Sequence, residues 1–189
     1  MRIIAGKNRG KKINLPKDKL TRPLRDVVKE SIYNLLIHSN KLNFEIEDKV
    51  ILDLFSGSGS FGLEAISRNA KKVFFVENYE NATDILKKNI LDLRYADYCS
   101  VIKEDCFEFV NKKKYFKNEY DLIFMDPPYK EKKINSIIDS IYNNKILNKN
   151  GIIIIHRHLK DDLILSKNLN IIETRSYGIS KIIFANLLI

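Results

Sequence analysis

Lys49–Asn69 reads "KVILDLFSGSGSFGLEAISRN": an apolar run, a glycine cluster, then a stretch with helical spacing of Phe61, Ala65 and Ile66. Gly57, Gly59 and Gly62 stand in GxGxxG spacing. Glycines at a strand-to-helix junction permit the tight turn, let a ligand approach the backbone, and let the helix pack closely on the strand. On its own the spacing fits either a dinucleotide site or a coincidental turn. The strand before it and the helix after it favour a ligand site.

Outward from this junction, apolar runs recur: "KKVFFVE", "YCSVIKED", "YDLIFMD" and "GIIIIHRH". Between them "NATDILKKNILDL", "CFEFVNKK" and "INSIIDSIYNN" read as helices. Strands apolar on both faces and separated by helices predict an α/β fold with a doubly wound, mostly parallel sheet. "LNIIETRSYGISKIIFANLLI" adds two extended runs as a closing hairpin, for seven strands in all. Upstream, "RIIA" and "KKINLP" flank the turn-forming "GKNRG" and predict a small hairpin. Pro23 then precedes a helix carrying Val28, Ile32, Leu35 and Leu36 at helical spacing. The expected division is a basic hairpin-plus-helix extension over 1–40 and a main domain over 41–189.

In an open α/β sheet the ligand lies beyond the carboxyl ends of the strands, so those ends carry the chemistry. The first holds Asp53 and the glycines. The second ends on Glu77, twenty residues after Gly57, where a carboxylate accepts from vicinal ribose hydroxyls. At that point NAD and S-adenosylmethionine fit equally. The third leads to Asp105, placed to accept from an adenine amine or to cap the next helix, with the Cys106 N–H as donor to a ring nitrogen. The fourth separates the two cofactors: a dehydrogenase has no use for Asp126-Pro127-Pro128-Tyr129, whereas methylation of a planar exocyclic amine does. There Asp126 and the Pro127 carbonyl would accept from the amine, the prolines would hold that carbonyl rigid, and Tyr129 would stack on the base.

Charge is concentrated at one end. Of a formal +9, residues 1–25 hold nine basic side chains against the single acid Asp18. Such density suits a polyanion, and Arg2, Arg9, Lys11, Arg22 and Arg25 are the candidate nucleic-acid contacts, with a solubilising tail as the alternative. Cys99 and Cys106 belong to no CxxC or Cys/His cluster and read as reduced structural thiols. His156 and His158 share a strand face, but the sequence sets no acid or cysteine beside them, so no metal is expected. No run of about 18 apolar residues occurs and no secretory signal opens the chain, so a soluble, cytoplasmic protein is expected. Nothing in the pattern demands a dimer, and a monomer is the expectation.

"DLFSGSGSFGLEAISR", "VFFVE" and "FMDPPY" resemble the class I S-adenosylmethionine-dependent N-methyltransferases, whose fold is Rossmann-like. "MRIIAGKNRGKKINLP" with "TRPLRDVVKESIYNLL" resembles, more narrowly, the RsmD family, which methylates the N2 amine of a guanine in 16S rRNA of the small ribosomal subunit. The resemblance implies that Asp53, Gly57, Gly59 and Glu77 hold the amino-acid and ribose parts of S-adenosylmethionine, and that Asp105 and Cys106 read its adenine. It implies that Asp126, Pro127 and Tyr129 bind the guanine, and that Arg2, Gly6, Arg9, Gly10, Arg22 and Pro23 meet rRNA, within an assembling small-subunit particle. Two positions depart from the family pattern: Leu24 stands where a threonine is usual, and His156 where a glutamate is frequent. The second is expected to leave the core motifs untouched. A DNA adenine-N6 methyltransferase would share DPPY but usually brings a large target-recognition domain, for which the chain has no room. A nicotinamide oxidoreductase would explain only Gly57 to Glu77. A non-catalytic RNA-binding protein on this fold would not need the four strand-end acids.

Overall fold

In a computed structural model, which describes residues 1–18, 23–112 and 120–188, Pro23 stands just ahead of helix α1 (Asp26–His38). Val28, Ile32 and Leu36 are buried on one stripe of α1, as their spacing predicts, together with Lys29 and Tyr33. Strands and helices then alternate: β1 (Val50–Leu54), α2 (Ser60–Ser67), β2 (Lys72–Val76), α3 (Glu80–Asp92), β3 (Cys99–Ile102), α4 (Cys106–Asn111), β4 (Tyr120–Met125), α5 (Ile134–Asn143) and β5 (Leu147–His158). The closing hairpin is β6 (Leu169–Tyr177) and β7 (Ser180–Leu187).

The seven strands form one sheet in the order β3-β2-β1-β4-β5-β7-β6. Strands β1 to β5 are parallel, and β7 runs antiparallel to both β5 and β6. The hairpin thus docks through its second strand. The reason lies in side-chain chemistry: β7 carries Ile182, Ile183, Phe184 and Ala185 and is buried, whereas β6 carries Glu173 and Arg175 and suits a solvent-facing edge.

Alternation along the strands divides the core in two. Ile51, Phe75, Phe124 and Ile154 face α1, α2 and α3; Leu52, Leu54, Ile123 and Ile155 face α4 and α5. The register matters most for function. Leu54 pairs with Val76 and with Met125, and Met125 with Ile155. The next residue in each case is therefore Phe55, Glu77, Asp126 and His156, so these four stand in one row, the first three just past their strands and His156 still within the longer β5.

The N-terminal hairpin is shorter than its sequence predicts, a single antiparallel bridge between Arg2 and Lys12. It stops there because the N–H groups of Ile4 and Ala5 donate instead to the Glu64 carboxylate of α2, at 2.7 and 2.9 Å. Gly6 sits against the end of the same helix at φ +81°, where a Cβ would lie 1.8 Å from the Ser67 carbonyl oxygen. Ile3, Ile13 and Leu24 join the core under α1 and α2, so the described part of residues 1–40 and the sheet share one packed interior. Among the described residues no helix is long and apolar enough to cross a membrane.

Candidate active site

Strand order reverses between β1 and β4, and crevices form at such a switch point. A cavity of about 400 Å³ lies there. One wall is Asp53 near the end of β1 and Phe55 and Gly57 just after it, with Glu77 and Tyr79 after β2; the opposite wall is Asp126, Pro127, Pro128 and Tyr129 after β4, with His156 of β5. Leu15, Pro16, Pro23 and Leu24 close one side, a role for the N-terminal segment that its charge did not announce.

Asp53 is 1% exposed. Its Oδ2 accepts from the Gly62 N–H at 3.0 Å, fixing the start of α2 to β1. Its Oδ1 is buried without a hydrogen-bond partner among the described residues. Burial pushes the carboxyl well above the usual carboxylate range against the opposing Gly62 bond, and the charges of Asp126 and Glu77 add to the rise. Glu77 accepts from the N–H of Gly57 and of Tyr79, each at 2.8 Å, which ties the glycine turn to the end of β2. Each of its oxygens keeps a further lone pair for a hydroxyl. Gly59 holds φ +81° in the same turn, and a Cβ there would strike Leu86 at 2.3 Å. An orphaned carboxylate oxygen for an ammonium and a second carboxylate for a diol fit S-adenosylmethionine, which carries both groups.

Asp105 is the N-cap of α4, accepting from the N–H groups of Phe107 at 2.8 Å and Glu108 at 3.3 Å, with Asn78 donating to its other oxygen at 3.2 Å. The Cys106 thiol is buried and accepts from the Phe55 N–H at 3.2 Å; burial pushes its pKa well above the thiol range. Neither residue lines the cavity. Cys106 instead shapes it: its bond holds Phe55, a non-glycine residue at φ +58°, in a left-handed conformation that turns the chain into the glycine loop.

On the opposite wall the expectation for His156 is corrected. Its Nδ1 lies 2.8 Å from Asp126 Oδ1, so the position touches the core motif directly. The acid missing beside it in sequence arrives through the Met125–Ile155 register. Tyr129 is half-buried; its hydroxyl is 3.5 Å from His156 Nε2, and its ring meets those of His156 and His158 edge-on, with centroids 5.8 and 5.1 Å away. Arg157, 1% exposed, is a residue that sequence reasoning missed. Its guanidinium donates to the carbonyls of Pro128, Tyr129 and Glu131 at 3.4, 3.3 and 2.8 Å and also pairs with Asp161. The loop after β4 is thus built onto β5.

Arg2, Arg9 and Lys11 are exposed on the N-terminal turn. Arg25 is exposed before α1 and donates to the Tyr177 carbonyl at 3.3 Å. Arg22 lies outside the described residues.

The family model described as Conserved hypothetical protein 95 matches residues 1–186. Ribosomal RNA small subunit methyltransferase D of Haemophilus influenzae is 33% identical over 180 residues, covering 95% of this chain and 90% of that relative. The chain belongs to the RsmD family. The Escherichia coli relative of the same name is 29% identical, over 86% of this chain and 77% of its own length. Among solved structures, yhhF from Escherichia coli superposes with a TM-score of 0.84 at 26% identity, covering 99% of this chain and 97% of that one. Membership of the RsmD family makes this chain a methyltransferase and the cavity at the switch point its candidate active site.

Proposed function

We propose that the chain transfers a methyl group from S-adenosylmethionine to the exocyclic N2 amine of a guanine in 16S rRNA, the guanine at position 966 in the family's usual numbering. Ribosomal RNA as the substrate rests on the family; the amine rests on the geometry after β4. The observation that carries it is Asp126, 18% exposed at the cavity with Oδ1 held by His156, across from the orphaned oxygen of Asp53.

Bound S-adenosylmethionine supplies a methyl group on a sulfonium, a good leaving group. The chain holds it through the Asp53 carboxylate and Glu77, and the Gly57 and Gly59 turn keeps the backbone close. A guanine amine is a poor nucleophile because its lone pair is delocalised into the ring. Asp126 and the Pro127 carbonyl accept its two N–H bonds, favour the pyramidal geometry, and offset the positive charge that develops on nitrogen. Tyr129 stacks on the base taken from its helix and returns part of the few kcal/mol of unstacking. Once alkylated the amine is acidic, and Asp126 is the group placed to take the proton. Arg2, Arg9, Lys11, Arg22 and Arg25 neutralise rRNA phosphates, while Asp105 and the Cys106 N–H, which lie outside the cavity lining, read the cofactor's adenine. The enzyme acts as a cytoplasmic monomer on a small-subunit assembly particle.

The test is transfer of tritiated methyl to small-subunit rRNA, naked and assembled with ribosomal proteins, followed by nucleoside analysis. Label in N2-methylguanosine is expected. Label in N6-methyladenosine, or none with either substrate, overturns the reading.

A further inference from the structure

The contact that the parallel register creates between β4 and β5 does more than cover a buried carboxylate. An ionised Asp126 accepts only, so the 2.8 Å contact places the imidazole proton on Nδ1 of His156. In the neutral ring Nε2 is then an acceptor, and the group facing it at 3.5 Å is the Tyr129 hydroxyl, a donor. One imidazole therefore touches both side chains that would meet the target base. His158 does not compete for Asp126, because its own Nδ1 accepts from the Lys160 N–H at 3.1 Å.

We infer that His156 is a positioning residue for the acceptor base, orienting Asp126 through Nδ1–H and Tyr129 through Nε2 so that carboxylate and stacking ring keep a fixed mutual geometry. The inference rests on the reading of Asp126 and Tyr129 as the groups that grip the amine and its base. A planar base stacked on one ring can offer its amine to one carboxylate oxygen only if ring and carboxylate hold a set relation. With Oδ1 committed to His156, Oδ2 is the oxygen that meets the amine. His156 has the rigidity this needs: it is 5% exposed, its backbone pairs with Ile182 of β7, and it directly follows Ile155, which pairs with Met125 of β4. Its contact is to a protein side chain and not to the reacting atoms, so its effect falls on the rate of transfer and on base placement, leaving the cofactor wall alone.

The experiment compares the full-length wild type with His156→Leu, which keeps bulk and removes both nitrogens, and with His156→Asn, whose side-chain amide restores a donor near Nδ1. In single-turnover transfer to the rRNA substrate, His156→Leu should lose about 10- to 100-fold in rate, the scale expected for a misplaced reactant. Its affinity for S-adenosylhomocysteine should stay within about twofold, and His156→Asn, which restores the donor to Asp126 but not the contact to Tyr129, should recover part of the lost rate. A His156→Leu rate equal to wild type, or an Asn variant as slow as the Leu variant, overturns the inference. A second readout needs no activity: nitrogen-15 NMR of the imidazoles in the free protein should show His156 protonated at Nδ1, with the pattern altered in Asp126→Asn. An Nδ1 without a proton also overturns it. If the wild type labels no guanine while the NMR pattern holds, the reading of function fails and the linkage of His156 to Asp126 stands.

Discussion

Lys29 and Glu64 face each other at 3.6 Å with neither side chain exposed to solvent. Lys29 also donates to the Arg2 carbonyl at 2.8 Å and to Ser60 Oγ at 3.2 Å, while Glu64 receives Ile4, Ala5 and Arg68. The pair joins α1, α2 and the N-terminal segment. Ser60 lines the cavity, so the basic segment and the glycine turn share one anchor.

Glu64→Gln should therefore be costly. A glutamine oxygen accepts, but its NH₂ cannot, so one of the two backbone N–H groups loses its partner and Lys29 loses the nearer of its two counter-charges, keeping Asp26 at 3.8 Å. About 3 kcal/mol of stability should go, the scale for breaking a buried pair. Urea unfolding measures this, and amide exchange at Ile4 and Ala5 should quicken. Burial already holds the Lys29 pKa below its ordinary value, with Glu64 and Asp26 opposing. Removing Glu64 lowers it further, so the unfolded chain binds the extra proton over a wider window and the deficit should shrink as pH rises.

Asp53 predicts a pH-dependent affinity for S-adenosylhomocysteine, which carries the same ammonium. The carboxyl's raised pKa, caused first by burial, means the free protein holds a proton at pH values where an exposed carboxylate has none. A bound ammonium favours the ionised form, so binding releases that proton and affinity should fall as pH drops below the raised pKa, towards tenfold per unit. By the same sign, Asp53 ionisation costs the free protein stability as pH rises from the unfolded pKa through the folded one. Calorimetric titration in buffers of different ionisation enthalpy counts the proton. Asp53→Asn should bind weakly at every pH and release none.

Asp126→Ala should separate the two walls. Cofactor-product affinity should remain near wild type, because Asp53 and Glu77 are untouched, while transfer falls by about 100- to 1,000-fold with the loss of a charge-stabilising acceptor. Loss of affinity in place of rate would assign Asp126 to the cofactor.

Arg157→Met should loosen the loop after β4. It strands the carbonyls of Pro128, Tyr129 and Glu131 and takes from Asp161 its buried guanidinium partner, leaving the Leu163 N–H and the more distant Lys132, at a cost of about 3 to 5 kcal/mol. Burial alone would raise the Asp161 pKa; the hydrogen bonds from Arg157 and the Leu163 N–H, with the nearby Lys132 charge, hold it below the usual range. A depressed folded pKa contributes stability above the unfolded value that is lost as pH falls through the folded one. Acid titration of unfolding should accordingly show a gentler acid loss in Arg157→Met than in wild type.

Replacing Arg9 and Lys11 together should weaken binding to small-subunit rRNA and lower the slope of log affinity against log salt by about one to two units, since each phosphate contact releases counterions. An unchanged slope would leave these residues as a solubilising tail.

The parts of the site legible in the sequence are those set by local pattern. Asp53, Glu77 and Asp126 were readable as groups at strand ends because two-sided apolar runs mark buried parallel strands, and a strand's end follows, to within a residue, from where its run stops. The glycine turn was readable because its conformation restricts which residues it accepts. The short hairpin at Arg2–Lys12 was not, because its continuation lost to a carboxylate sixty residues away. Asp105 had two candidate roles in sequence, and its observed bonds are those of a helix cap.

The amino-acid order by itself determined the alternation of strands and helices, the strand-end acids and the concentration of positive charge at residues 1–25, since each depends on neighbours along the chain. Only the tertiary structure decided that His156 meets Asp126, that Arg157 grips the loop beyond it, and that Leu15 and Leu24 wall the cavity. Those relations depend on which strands pair and in what register. A register is chosen by the packing of two whole sheet faces, a sum over many distant side chains that no single stretch contains.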